Sequence, residues 1–485
     1  GIGGAGMSAI AHILLARGYR VSGSDLRASE ATRRLAALGA TVYLGHDPGH
    51  LADVDVVVAS RAVPELNVEM VTARHQGLPV HHRAQVLGQI LAEGFGIAVV
   101  GTHGKTTTAA MTAHVLAAGG LDPTALIGAD VEGLDGNVRV GRGRYLVAEV
   151  DESDGSLLFV RPSAAVVTSL DTTDHRDYYR TPERLTQTFT EFLAALPADG
   201  FAVLCTDHRH VRDLLSRVSA RTITYGLTAS ARYSATLQGL AGRQTRCTIR
   251  RDGISLGPIV LNVPGRYNVL NALAATAVAL ELGLNFAQVA PALESFRGVS
   301  RRFAVRGEVG GIMVVDDYAH NPIKVAAVLR AARESWPDRR IIAVFQPHRY
   351  TRTQTTYRRF ATAFGDCDHL IVTDIYPADE QPIPGVSAAL IVDAVRPHRP
   401  VTFIAEQARV VKHLLPVLRS GDLVLTLGAG DIWKTAEELV TALKGQEAGP
   451  PTPPSGARGG ARERGNPHAD SGRRARTRTK GGARK

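Results

Sequence analysis

Gly101-Thr102-His103-Gly104-Lys105-Thr106-Thr107-Thr108 follows the apolar run Ile97–Val100 and opens the Ala/Thr-rich stretch Thr106–Ala118. A β-branched run, a glycine loop and a helical pattern in succession form a strand–loop–helix unit. Such units build parallel sheets with helices on their faces. The loop suits phosphate: successive backbone N–H groups and a helix N-terminus form an anion cradle, and glycine permits close approach. Lys105 can reach β- and γ-phosphates, and Thr106 can place its hydroxyl on Mg²⁺. Val99 stands where the strict GxxxxGK[ST] pattern has its first glycine. Lys105 is also the only lysine before Lys324. Arginine serves nearly everywhere else, so a lysine kept in GKT is hard to explain as a surface charge.

Outward from this loop the alternation continues. Val54–Ser60, Tyr145–Glu149, Ala164–Thr168, Phe201–Cys205, Ile341–Phe345, His369–Thr373 and Leu423–Leu427 read as buried strands. Ser8–Arg17, Pro182–Leu196, Val269–Leu282 and Pro322–Glu334 read as helices. Residues 225–263 show short polar–apolar alternations instead, which predicts an antiparallel insertion. Carboxylates cluster at Glu149, Asp151, Glu152 and Asp154, at the end of a predicted strand. Strand C-termini are where α/β sheets bind ligands. Asp174-His175 follows the next strand, so both groups can converge on the phosphate loop, where hard Mg²⁺ takes oxygen ligands.

With 485 residues, 44% apolar and 21% charged, the chain has material for roughly three domains. No apolar run approaches the ~20 residues of a membrane-spanning helix. Three scattered cysteines form no CxxC pair, which argues against a disulfide or zinc framework and for a reducing, cytoplasmic setting. No secretory leader is visible. The net charge of +10 is mostly a tail: residues 445–485 hold ten Lys/Arg against three Asp/Glu, with nine Gly and five Pro. That composition reads as a disordered basic extension without a specific nucleic-acid partner.

Gly1-Ile2-Gly3-Gly4-Ala5-Gly6 matches GxGxxG, and Asp25 lies nineteen residues after Gly6. This is the Rossmann pattern, with diphosphate on a helix N-terminus and an acid on a ribose. Alone it suggests a nicotinamide-dependent oxidoreductase. The chain begins inside the motif, however, and a separate triphosphate loop is not something a dehydrogenase needs.

Ten segments together resemble the Mur ligases of peptidoglycan synthesis: GIGGAGMSAIA (1–11), GYRVSGSD (18–25), GTHGKTTT (101–108), AEVDESDGS (148–156), GRYNVLNALAA (265–275), SRRF (300–303), DDYAHNP (316–322), FQPHRYTRT (345–353), YPADEQPIPGVS (376–387) and LGAGDIW (427–433). HRYTRT with GIGGAGMS points to the alanine-adding branch. The resemblance implies an α/β fold of three domains, with Rossmann-like ends around a central P-loop ATPase. Residues 1–93 would bind the UDP-sugar, 94–298 ATP and 299–444 the amino acid, with 445–485 as the tail. The first domain would lack its first strand.

By the same resemblance, Gly3, Gly4, Ala5 and Gly6 would hold the UDP diphosphate, with Asp25 beside the uridine. ATP would contact Gly101 to Thr107, Asn268 and Asn271, with Arg302, Asp317 and His320 reaching it from the last domain. Thr106, Glu149 and His175 would hold magnesium. His348, Arg349 and Arg352 would recognise L-alanine, since a guanidinium fork can clamp an α-carboxylate. The implied reaction joins L-alanine to the carboxylate of UDP-N-acetylmuramate, with ATP supplying an acyl phosphate. A monomer or homodimer without membrane insertion is expected. Tyr267 replaces the family's usual His, and TNIEADH appears as Thr168–His175 with one extra residue.

Overall fold

The computed structural model describes residues 1–134, 136–174 and 176–447, so His175 and residues 448–485 lie outside the described residues. At its centre is a ten-stranded sheet. The strand Phe95–Val100 runs parallel between Tyr145–Glu149 and Ala164–Val167. Phe201–Cys205 and Arg221–Gly226 extend the parallel part. Side chains of Phe95–Val100 alternate between two cores: Ile97 and Val99 face helices Lys105–Ala118 and Arg266–Glu281, while Ala98 and Val100 face Arg83–Ala92 and Pro182–Ala194. Burial on both faces explains why this strand reads as a continuous apolar run. The predicted insertion is an antiparallel meander, Tyr233–Ala241, Gln244–Arg251 and Ile254–Leu261, added at the sheet edge.

Register positions the site. Val99 pairs with Glu149 and Val100 with Val167. Three strand C-termini therefore deliver loop 101–104, the Glu149 carboxylate and Thr168 to the same end of the sheet.

A second, six-stranded sheet follows, parallel except for the edge strand Ala304–Val309. Asp317 and Phe345 both pair with Leu427, so their following loops emerge at one end. The helix Pro322–Ser335 has Pro at its first turn and Asn321 as N-cap, accepting from Lys324 N at 2.9 Å. The final helix, Trp433–Glu447, takes in the first three residues, 445 to 447, of the expected tail. Thr435, Ala436, Leu439, Val440 and Leu443 bury its inner face, and no proline interrupts it before Pro450.

The first 94 residues form two separate parallel pairs, Ser22–Asp25 with Thr41–Leu44 and Val57–Ala59 with Val80–His82. No described strand joins the two pairs. The Gly1 amino group and the Ile2 N–H both donate to Ser24 O, at 2.6 and 3.0 Å. Among the described residues no helix is long and apolar enough to cross a membrane.

Candidate active site

The phosphate loop is shaped by contacts that leave no room for side chains. Gly101 has φ +124°, and a Cβ there would lie 2.4 Å from Thr168 Oγ1 and 2.7 Å from Ser169 O. Gly104, at φ +86°, would meet Asn271 Oδ1 at 2.9 Å. Positive φ and close approach both demand glycine. Thr168 Oγ1 donates to His103 O at 2.6 Å, and His103 N donates to Ser169 Oγ at 2.8 Å. The Thr168-Ser169 pair thus ties down the loop from the neighbouring strand, a role the sequence did not disclose.

Lys105 opens the helix and donates to both oxygens of Glu152, at 3.0 and 2.7 Å. Burial alone would lower its pKa, but Glu152, Asp151 and Glu149 outweigh that and hold it above the ordinary lysine range. Lys105 is therefore a charged ammonium held by Glu152 next to the loop. Thr106 Oγ1 donates to Glu149 Oε1 at 3.1 Å, and Gly128 N donates to Glu149 Oε2 at 2.8 Å. From the carboxy-terminal part, Arg302 Nη2 reaches Thr106 Oγ1 at 3.1 Å.

A hydroxyl and a carboxylate beside a phosphate loop are the hard oxygen donors magnesium takes, alongside waters and nucleotide phosphates. Thr106 and Glu149 fit that requirement. Among the described residues there is no cluster of three His, Cys, Asp or Glu suited to holding a metal by protein ligands alone.

Asn268 and Asn271 would look like exposed helix polars, but both are buried. Thr108 Oγ1 donates to Asn271 Oδ1, Asn271 Nδ2 to Asn268 Oδ1, and Asn268 Nδ2 to Pro264 O, at 3.0, 3.0 and 2.8 Å. This chain locks the second helix to the phosphate-loop helix. Tyr267 lies beside it in the cleft wall.

Asp317 is buried and accepts from Phe303 N and Ala319 N, each at 2.7 Å. Burial pushes its carboxyl up to about 6 against the pull of Arg302. His320 is held neutral by burial and by Lys324 and Arg352, well below the usual imidazole range. His348 is lowered to about 4 by burial, Arg352 and Arg349. Its neutral Nδ1 sits 3.2 Å from Arg352 Nη1, geometry in which the guanidinium donates. Arg349 adopts φ +68° and is exposed.

These groups line one cleft of about 1200 Å³, walled by the phosphate loop, the Asn268 helix, Arg302, Asp317, His320, His348, Arg349 and Arg352. Ala5 and Gly6 line its far side. Gly3 lines a smaller adjoining pocket of about 140 Å³. Gly4 starts the helix Ala5–Ala16 as its N-cap. Asp25 lines neither cavity; its Oδ2 accepts from Gly3 N at 2.9 Å and so shapes the glycine loop. His175 lies outside the described residues. Sequence reasoning missed Glu152 as the partner of Lys105, and Lys324 as a cleft residue.

Comparison with known proteins accords with this geometry. Residues 1–94 match the Mur ligase family catalytic domain, 99–279 the Mur ligase middle domain and 301–430 the Mur ligase glutamate ligase domain. UDP-N-acetylmuramate–L-alanine ligase of Trichlorobacter lovleyi is 49% identical over 446 residues, covering 91% of this chain and 98% of the relative. The ligase of the same name from Geotalea daltonii is 50% identical, covering 92% and 97%. A crystal structure of UDP-N-acetylmuramate-alanine ligase from Thermotoga maritima superposes with TM-score 0.79 at 30% identity, covering 92% of this chain and 98% of that one. A murein peptide ligase from Psychrobacter arcticus shares the fold, with TM-score 0.67 at 24% identity over 91% and 97% of the two chains. On this extent and identity the chain, with its three-domain α/β architecture, belongs to the Mur ligase family.

Proposed function

We propose that this chain joins L-alanine to the carboxylate of UDP-N-acetylmuramate in peptidoglycan precursor synthesis, at the cost of ATP. The observation that carries the reading is the meeting of Glu149 and Arg302 at Thr106 Oγ1, beside the Lys105–Glu152 pair, with His348 and Arg352 across the same cleft. The relatives' activity supports the choice of substrates.

A carboxylate is a poor electrophile, so it must be activated. Its oxygen attacks the γ-phosphorus of ATP, ADP leaves, and an acyl phosphate results. The alanine amine then attacks the acyl carbon and inorganic phosphate departs. The barrier is lowered mainly by positioning and by charge placed before the reaction. Glu152 immobilises the Lys105 ammonium, and Arg302 crosses to the γ-phosphoryl from the opposite wall. Thr106 and Glu149, with His175, would hold magnesium, which would supply positive charge beside the transferring phosphoryl group. Asn268 and Asn271 line the adenosine side, with Asp317 and His320 near the nucleotide. His348, Arg349 and Arg352 hold the alanine carboxylate, leaving its amine free. Gly3 to Gly6 bind the UDP diphosphate, with Asp25 supporting their loop. In this reading residues 1–93 carry the UDP-sugar, 94–298 the ATP and 299–444 the amino acid, and the setting is cytoplasmic. The test is phosphate release with UDP-N-acetylmuramate, ATP and Mg²⁺, compared across amino acids.

A further inference from the structure

Lys324 is the second lysine of the chain and lines the same cleft as the first. It stands in the opening turn of helix Pro322–Ser335, whose cap Asn321 donates through Nδ2 to Asp174 Oδ2 at 3.0 Å. That bond fixes the helix start against the central sheet. Lys324 Nζ has no hydrogen-bond partner among the described residues. Across the cleft, Nδ1 of His103 in the phosphate loop is buried without a hydrogen-bond partner among the described residues, while its Nε2 faces Asp171 Oδ2 at 3.6 Å. Lys105 and Arg302 act on Lys324 as like charges. Glu152 and Asp174 offset this only in part, and burial with Lys105 lowers Lys324 to about 8. Lys105 is already matched by Glu152, so the unpartnered Lys324 ammonium is the cation in this cleft that a bound anion would complete.

We infer that Lys324 contacts the γ-phosphoryl group of the nucleotide from the carboxy-terminal side, opposite Lys105 and beside His103. The inference rests on the ATP-dependent reading above. It separates the role of Lys324 from that of Lys105, because Lys324 senses whether the third phosphate is present. With a triphosphate, its charge is matched and the carboxy-terminal part is drawn onto the central sheet. With a diphosphate, the match is lost and the repulsion among cations returns, which favours product release.

The experiment is calorimetric titration of the full chain in Mg²⁺ with a non-hydrolysable ATP analogue and with ADP, for wild type, Lys324→Met and Lys324→Arg. A charge-assisted contact predicts that Lys324→Met loses roughly tenfold or more in affinity for the analogue while ADP changes by less than about twofold. Lys324→Arg recovers most of the loss. The thermal midpoint of ligand-free Lys324→Met stays level or rises, because a like charge is removed. Equal losses for both nucleotides, unchanged analogue affinity, or a lowered ligand-free midpoint would each overturn the assignment. Wild-type phosphate release dependent on L-alanine is read separately, so its absence counts against the proposed function and not against Lys324 alone.

Discussion

Lys105 Nζ donates to both carboxylate oxygens of Glu152, whose side chain is 0% exposed. A buried carboxylate is costly to keep charged, and that ammonium offsets the cost. Lys105→Ala should therefore do two separable things. It should lower turnover by on the order of 10³ or more, through lost stabilisation of the transferring phosphoryl group. It should also destabilise the fold, by up to roughly 3–5 kcal/mol, through loss of the ammonium that faces the buried Glu152 carboxylate. Combining Lys105→Met with Glu152→Gln should recover stability and leave the enzyme inactive. Thermal melts and phosphate-release rates on the same samples check both halves.

The metal prediction follows from Glu149, which is clasped by Thr106 Oγ1 and Gly128 N. Glu149→Ala should nearly eliminate turnover, and added magnesium should not restore it. Thr106→Val and His175→Ala should raise the magnesium concentration needed for half-maximal rate. No lysine lies between Lys105 and Lys324, so no carbamylated lysine can assist within that interval, and the rate should be indifferent to bicarbonate. A magnesium titration of initial rate, with and without bicarbonate, measures all three.

The strand–loop–helix core was legible because Phe95–Val100 is buried on both faces and its glycines obey local backbone rules. Thr106, Glu149 and Arg302 could be named from motifs. Their mutual hydrogen bonds could not, because they depend on strand register and on approach of the carboxy-terminal sheet. Glu152 was one of four carboxylates in a short run, and only the turn after Glu149 decides which one meets Lys105. Asn268 and Asn271 sit on an Ala-rich helix with little amphipathic signal, so burial by Thr108 and Pro264 was invisible. The glycine motif placed the amino-terminal loop but said nothing of how its short strands pair, which is in two separate sheets. Lys324 carried no motif at all; its place in the cleft comes from the cap at Asn321.

A pH prediction follows from His348. Burial with Arg352 and Arg349 lowers it from 6.5 to about 4, so the folded state favours the neutral ring. The unfolded chain binds that proton more readily. Stability from this group is therefore complete above pH 6.5 and is lost as pH falls toward 4, by at most about 3 kcal/mol. His348→Asn should flatten that part of the thermal midpoint against pH curve. An unchanged curve would remove His348 from the neutral, Arg352-paired state.

The central claim is that this cleft ligates L-alanine to a UDP-linked carboxylate through ATP. Its most direct measurement is inorganic phosphate release by the wild-type chain with UDP-N-acetylmuramate, ATP and Mg²⁺. The account predicts release that requires both the UDP-sugar and an amino acid, is fastest with L-alanine, and matches formation of the amide product mole for mole. Phosphate release that ignores the amino acid, or none with any amino acid while ATP binds normally, would contradict it.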